Sequence, residues 1–304
     1  MKRFVASLSA LFTIIMAVFG ISGVNDTDSF DNKKWMAQLP DTVLVSELSI
    51  PGTHDSCALY EPIAPCAKCQ TYTLKDQLDM GVRFIDIRGV AIGNAIKIVH
   101  GPIYQAQSLD GVYNTVCRFL DENPSETVIM SVKEDVRLSR TGFSSAVLRL
   151  LKRAPDRWYL EDELPTLGDA RGKIILFNRF NETMEVGIQT AEWIKNTSFT
   201  IEKDTHTLHI QDYFKIESVD DEWTQAKALL EECLRCDKQM RGQHLYIHYL
   251  SGYLGTIPDP VTVAEGMNAR FMDYLSETKN GCYGIVLFDF VEQAYCDALI
   301  ASNF

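Results

Sequence analysis

The chain has 304 residues, 46% hydrophobic and 23% charged, with a formal net charge of −12. That balance excludes a disordered or fibrous chain. The acidity excludes both the basic face of a nucleic-acid binder and broad electrostatic adhesion to anionic membranes, so any membrane contact is expected to be local and partly apolar.

The N-terminus reads as a targeting segment. Lys2 and Arg3 form a basic start, Phe4 to Phe19 is almost wholly apolar, and Gly20, Ser22 and Gly23 supply small residues before the polar run Asn25-Asp26-Thr27-Asp28. That order is the pattern of a secretory signal peptide, and the apolar stretch is short against the roughly 20 residues of a membrane span. We assign residues 1–23 to a signal peptide and 24–304 to a single catalytic domain, secreted and extracellular. The eight cysteines, Cys57, Cys66, Cys69, Cys117, Cys233, Cys236, Cys282 and Cys296, form an even set that suggests disulfides in that compartment. The pairs Cys66/Cys69 and Cys233/Cys236 leave zinc as the lesser alternative. Sequons begin at Asn25, Asn181 and Asn196 and make glycosylation an expectation for a eukaryotic source.

Beyond residue 30, short β-branched and aromatic runs recur without a repeat or linker. They are Val43 to Ile50, Val82 to Ile87, Ala95 to Val99, Thr127 to Val132, Lys173 to Phe177, Thr207 to Ile210, Leu245 to Tyr249 and Gly284 to Phe288. Several are continuously apolar, as strands buried on both faces should be. Helical spacing lies between most of them: Ser108 to Glu122, Thr141 to Lys152, Trp223 to Leu234 and Thr262 to Leu275. Strands interleaved with helices predict an irregular (β/α)8 barrel of the TIM type, in one domain. The irregularity falls between Val82 and Ala95, where no crossover helix fits.

Nearly every strand run ends on polar residues: His54-Asp55 after the first, then Asp86 and Arg88, His100, Lys133-Glu134-Asp135, Asn178-Arg179, Gln211-Asp212, Ser251 and Asp289. In a barrel these ends converge on one face, where active sites sit. Two histidines suit acid and base work near neutral pH, and arginines with a lysine suit a phosphate. No Gly-x-Ser-x-Gly elbow is present.

Four motifs in order carry a family resemblance: Leu48-Ser49-Ile50-Pro51-Gly52-Thr53-His54-Asp55-Ser56, Gly81 through Arg88, Val99-His100-Gly101-Pro102, and Asn123-Pro124-Ser125-Glu126-Thr127 through Lys133-Glu134. Together they resemble the catalytic X region of bacterial-type phosphatidylinositol-specific phospholipase C. The resemblance implies that His54 is the general base for the inositol 2-hydroxyl and His100 the general acid for the diacylglycerol oxygen. It implies that Asp289 orients the base and Asp55 partners the acid. Arg88 stands where calcium-dependent relatives have an acidic metal ligand, which implies no metal, no calcium requirement and no other cofactor. Lys133, Arg179 and Asp212 match inositol- and phosphate-binding positions. Phe214 departs from the family's ring-stacking tyrosine but keeps an aromatic face. The implied partner is a phosphatidylinositol-containing membrane surface, met by a monomer, with no nucleic acid.

Two other readings stand beside this one. A metal-dependent glycerophosphodiesterase-type barrel also uses two histidines, and a secreted binding module would use none for chemistry. His206, His209, His244 and His248 could suggest a metal, though on strands such residues more often face a rim. The loop Tyr253-Leu254 with Ile257-Pro258 is apolar-tipped and suits either a bilayer or the core.

Overall fold

The computed structural model describes residues 31–62, 66–138, 142–180, 184–190, 192–255, 259–278 and 281–304. The signal-peptide assignment, the sequons at Asn25 and Asn181, and Ile257-Pro258 lie outside them. Asn32–Phe304 forms one compact unit, and no helix among the described residues is long and apolar enough to cross a membrane.

Seven parallel strands make the wall of an irregular β/α barrel: β1 Ile50–Thr53, β2 Phe84–Ile92, β3 Val128–Glu134, β4 Ile174–Arg179, β5 Thr207–Asp212, β6 His244–Tyr249 and β7 Ile285–Phe288. They are hydrogen-bonded in the order β4-β3-β2-β1-β7-β6-β5, with Thr197–Glu202 antiparallel on the far edge of β5. Short parallel segments, Trp158–Tyr159 and Ile188–Gln189, occupy the outer edge of β4. The β1 and β7 residues are buried throughout, because side chains on one face fill the barrel and those on the other meet helices. Gly52 sits where β1 passes between its neighbours: a Cβ there would meet Leu287 and Phe84, each at 3.1 Å.

The helices form where their apolar spacing appeared. Leu109–Glu122 starts at Ser108, whose side chain accepts from Gly111 N, and buries Leu109, Val112, Val116, Phe119 and Leu120. Gly142–Arg153, Val219–Arg235 and Pro260–Thr278 occupy the other expected positions.

Two expected strands are corrected. Val43 to Ile50 is not a strand: Val45–Glu47 is a 3-10 turn and β1 begins at Ile50. Ala95 to Val99 is not a barrel strand. Strand β2 continues past the barrel rim to Ile92, turns at Gly93 (φ 59°), and pairs antiparallel with Ala95–His100. That segment pairs in turn with Ile103–Ser108. A β-branched, half-buried hairpin has the same composition as a barrel strand, and only the short connection at Gly93 distinguishes them.

The disulfide expectation is also corrected: all eight cysteines are free thiols. Cys57, Cys69, Cys233, Cys282 and Cys296 are buried in the core, where cysteine behaves as a small hydrophobe. Cys233, for example, spends its thiol on the Cys282 carbonyl at 3.2 Å. The even cysteine count therefore lends no support to an extracellular compartment.

Candidate active site

Strand register assembles the site. Thr53 is paired with Phe288 across β1 and β7, so the next residues, His54 and Asp289, emerge side by side at the carboxyl ends. Arg88 of β2 is paired with Lys133 of β3, and Lys133 with Arg179 of β4. Three cationic side chains thus stand in one row across adjacent strands. His100 comes from the hairpin tip, held there as Gly101 N donates to Asp135 Oδ2 at 2.8 Å. These residues, with Asp212, Phe214, Trp193, Cys69 and Tyr253, line a cleft of about 430 Å³.

The two histidines face the cleft with ring centroids 6.4 Å apart, and their settings differ. His54 Nδ1 lies 2.8 Å from Asp289 Oδ1. We assign the proton to Nδ1, which leaves Nε2 as a free lone pair. Burial first, and then Arg88, push the His54 imidazole well below its usual range, so it is neutral. Asp289, itself buried, is pushed up by the same loss of water and by Asp55. A neutral imidazole held by a carboxyl is poised to accept a proton. His100 Nδ1 lies 3.0 Å from the Ala67 carbonyl, which can only accept, so that nitrogen carries hydrogen. Its Nε2 lies 3.8 Å from Asp55 Oδ2.

Asp55 is fully buried, with φ at 40°, and neither carboxylate oxygen has a hydrogen-bond partner. Arg88 Nε is 3.8 Å from its Oδ2. Burial pushes this carboxyl up to about 6 against the pull of Arg88 and His100. Asp86 has the opposite fate. Burial would raise it, but Arg88 and Arg179 hold it well below the usual carboxylate range. Arg88 donates to it from Nε at 2.9 Å and forms an ion pair with it through Nη2 at 2.8 Å. Lys133 is lowered by burial and by Arg88 and Arg179, and it donates to Asp135 at 2.9 Å.

Further along the cleft, the Arg179 guanidinium lies 3.5 Å over the Trp193 ring and donates to Tyr249 Oη at 2.9 Å. Trp193 Nε1 donates to Asp212 Oδ2 at 2.7 Å. Phe214 and Tyr253 form an aromatic wall, 6.1 Å between centroids. His54, Arg88, His100, Lys133, Arg179, Asp212, Phe214 and Asp289 therefore line this one cleft, and Asp55 lies buried beside Arg88 and His100. Asp86, Asp135, Trp193, Tyr249 and Cys69 complete it. Asp135 and Tyr249 carried the same strand-end signal as the others. Trp193 lies in an irregular segment with no pattern to mark it. The histidines of the alternative metal reading are elsewhere: His209 Nε2 bonds His244 Nδ1 at 2.8 Å, and His248 is buried. The sequon residue Asn196 accepts from Phe214 N at 3.1 Å and Lys215 N at 2.6 Å.

A barrel with two differently poised imidazoles beside a row of cations is the site of a phosphodiester-cleaving enzyme. The family model "Phosphatidylinositol-specific phospholipase C, X domain" matches residues 45–180. A Listeria monocytogenes 1-phosphatidylinositol phosphodiesterase is 31% identical over 290 residues, covering 91% of this chain and 86% of the relative. The solved structure of a pentafluoro-Phe-containing phosphatidylinositol-specific phospholipase C from Staphylococcus aureus superposes with a TM-score of 0.80 at 26% identity, over 90% of this chain and 98% of that one. The Listeria monocytogenes phosphatidylinositol-specific phospholipase C structure gives 0.71 at 28% identity, over 90% and 99%. The chain belongs to the phosphatidylinositol-specific phospholipase C family.

Proposed function

We propose that the chain cleaves phosphatidylinositol at a membrane surface by intramolecular attack. The inositol 2-hydroxyl forms a bond to phosphorus as His54 Nε2 takes its proton. The bond from phosphorus to the glycerol oxygen breaks as His100 Nε2 supplies a proton to that oxygen. The products are diacylglycerol and inositol 1,2-cyclic phosphate. Charge that grows on the phosphate oxygens meets Arg88, held ready before the reaction starts. Lys133, Arg179, Asp212 and Phe214 hold the inositol ring. The substrate brings its own nucleophile, so no serine or cysteine is required.

The observation that carries this reading is the asymmetry of the two imidazoles. One is neutral, with its free lone pair in the cleft. The other has Nδ1–H fixed by a carbonyl and Nε2 beside a carboxylate. A pair serving as metal ligands would need two free lone pairs aimed at one point, with carboxylates around it. Here the carboxylate nearest the row, Asp86, is engaged by two arginines. We therefore propose catalysis without calcium. We also propose that the enzyme acts as a monomer and, from the pattern of residues 1–23 alone, that it is secreted.

The test is phosphatidylinositol vesicles in excess chelator, with the products resolved by phosphorus NMR. Inositol 1,2-cyclic phosphate as the first product supports the reading. Activity that appears only when a metal is restored favours the glycerophosphodiesterase-type alternative, and no cleavage in either condition favours the binding module.

A further inference from the structure

Intramolecular attack leaves one soft metal-binding side chain in the cleft without a task. Cys69 is fully buried yet lines the cleft. Its sulfur lies 3.8 Å from His100 Nδ1. A ring nitrogen of His54, the Cys69 Sγ and an Asp289 oxygen all lie within 4.8 Å of one another. Among the described residues, no other three such side chains bring their ligand atoms so close.

We propose that His54, Cys69 and Asp289 form an inhibitory site for a zinc-class divalent ion. The inference rests on the lyase reading of the same cleft and adds a regulator to it. The donor set decides the class of ion. One thiolate, one imidazole and one carboxylate, with a fourth position left open, is a zinc-type set. Calcium requires six or more oxygens and gains nothing here. Charge also balances: a thiolate and a carboxylate cancel a divalent ion, and the third ligand is neutral. The thiol proton, and the proton that burial favours on Asp289, leave to solvent as the sulfur–metal and oxygen–metal bonds form, and ligation at His54 Nδ1 moves the ring proton to Nε2.

The backbone holds the three ligands in fixed relation. Gln70 Nε2 donates to the His54 carbonyl at 2.9 Å and to the Phe288 carbonyl at 2.8 Å. Phe290 N donates to the Cys69 carbonyl at 2.7 Å. The residue after Cys69 thus ties together the two strand ends that carry His54 and Asp289, and the residue after Asp289 returns the bond. Tetrahedral ligation then needs only side-chain rotation. An ion there blocks catalysis whichever ring nitrogen it takes. At Nε2 it consumes the lone pair that accepts the hydroxyl proton. At Nδ1 it draws off Asp289 and fixes the ring in the wrong orientation.

The test uses the full chain, stripped of metal, with cobalt(II) as the spectroscopic probe and zinc as the inhibitor. Expected for the wild type are a thiolate-to-cobalt absorption band and intense tetrahedral bands, with about one equivalent lost in Cys69→Ala. Each variant's rate is normalised to its own metal-free rate. On that scale the zinc midpoint should rise by about tenfold or more in Cys69→Ala, the usual cost of removing a metal-site group, and by less in Cys69→Ser. The same cobalt spectrum in Cys69→Ala, or the same zinc midpoint, overturns the proposal. A site that binds cobalt while zinc leaves turnover unchanged overturns the inhibitory role. If phosphatidylinositol is not cleaved under any condition, the lyase reading fails separately, and the cobalt spectra still decide whether the site exists.

Discussion

Arg88 places both Nε and Nη2 on a single oxygen of Asp86, Oδ2, at 2.9 and 2.8 Å. The other oxygen, Oδ1, lies 3.4 Å from Arg179 Nη1. One buried carboxylate thus pairs with two of the three cations in the row. The guanidinium of Arg88, so held, lines the cleft. Being fixed beforehand, it costs no reorganisation when charge develops.

Arg88→Ala should lower turnover by about 10²–10³-fold, the scale of a lost oxyanion donor. Arg88→Lys should recover only part of this, since it keeps charge and loses the fork. Neither the wild type nor Arg88→Lys should respond to chelator. Initial rates on mixed vesicles, with and without chelator and calcium, check both statements. A wild-type enzyme that needs added calcium would remove Arg88 from the role of internal cation.

Asp55 predicts a trade of stability against activity. Its carboxyl is raised from 3.8 to about 6 by burial, so the folded state holds this proton more tightly than the unfolded chain does. Stability from this group is therefore present at low pH and falls as pH rises from about 4 to 6. Above that range a buried carboxylate whose oxygens accept no hydrogen bond costs on the order of 3 kcal/mol, at 1.36 per pKa unit. Asp55→Asn should be more stable than wild type at pH 7 and lose that advantage near pH 4, while its turnover falls because His100 has lost its carboxylate. Thermal melts across pH 4–8 check the sign. A variant less stable than wild type at pH 7 contradicts the argument.

The barrel was legible because strands buried on both faces leave continuous apolar runs and because polar residues gather at their carboxyl ends. That one pattern located His54, Arg88, Lys133, Arg179, Asp212 and Asp289. It misassigned Ala95 to Val99, because a hairpin that extends β2 beyond the rim has the same composition as a barrel strand. His100 was still found, since a hairpin tip at the rim reaches the same cleft. Trp193 was invisible: it reaches the cleft from an irregular segment, and only packing on Arg179 reveals it. The cysteines misled because an even count has no geometry: Cys57, Cys233 and Cys296 fill core volume, and Cys69 lines the cleft.

Trp193 offers a separable function. Its ring face carries the Arg179 guanidinium and its Nε1–H holds Asp212. Trp193→Phe keeps an aromatic face and deletes the hydrogen bond, leaving the Asp212 carboxylate free to rotate. The expected result is a KM raised several-fold with kcat nearly unchanged, because groups assigned to hold the inositol ring would act in ground and transition states alike. Trp193→Ala should also release Arg179 and lower kcat. Steady-state kinetics on soluble short-chain substrate separate the two, and an unchanged KM in Trp193→Phe would show that Asp212 needs no such support.

The assignment of base and acid can be tested by asking which step each histidine limits. His54→Ala and His100→Ala should each lower cleavage of phosphatidylinositol by about 10²–10⁴-fold, the range for one proton transfer. The two losses should respond differently to the leaving group. A diacylglycerol alkoxide needs a proton as it departs, whereas an aryl oxide of low pKa does not. An inositol aryl phosphodiester should therefore restore much of the rate to His100→Ala. It should leave His54→Ala slow, because the 2-hydroxyl proton must still be removed before attack. Asp289→Asn should resemble His54→Ala in this respect, since it loses the carboxyl that fixes the Nδ1–H tautomer 2.8 Å away. Circular dichroism establishes that each variant is folded. Rescue of His54→Ala instead of His100→Ala by the aryl substrate would exchange the two roles, and the electrostatic difference between the imidazoles would need another explanation.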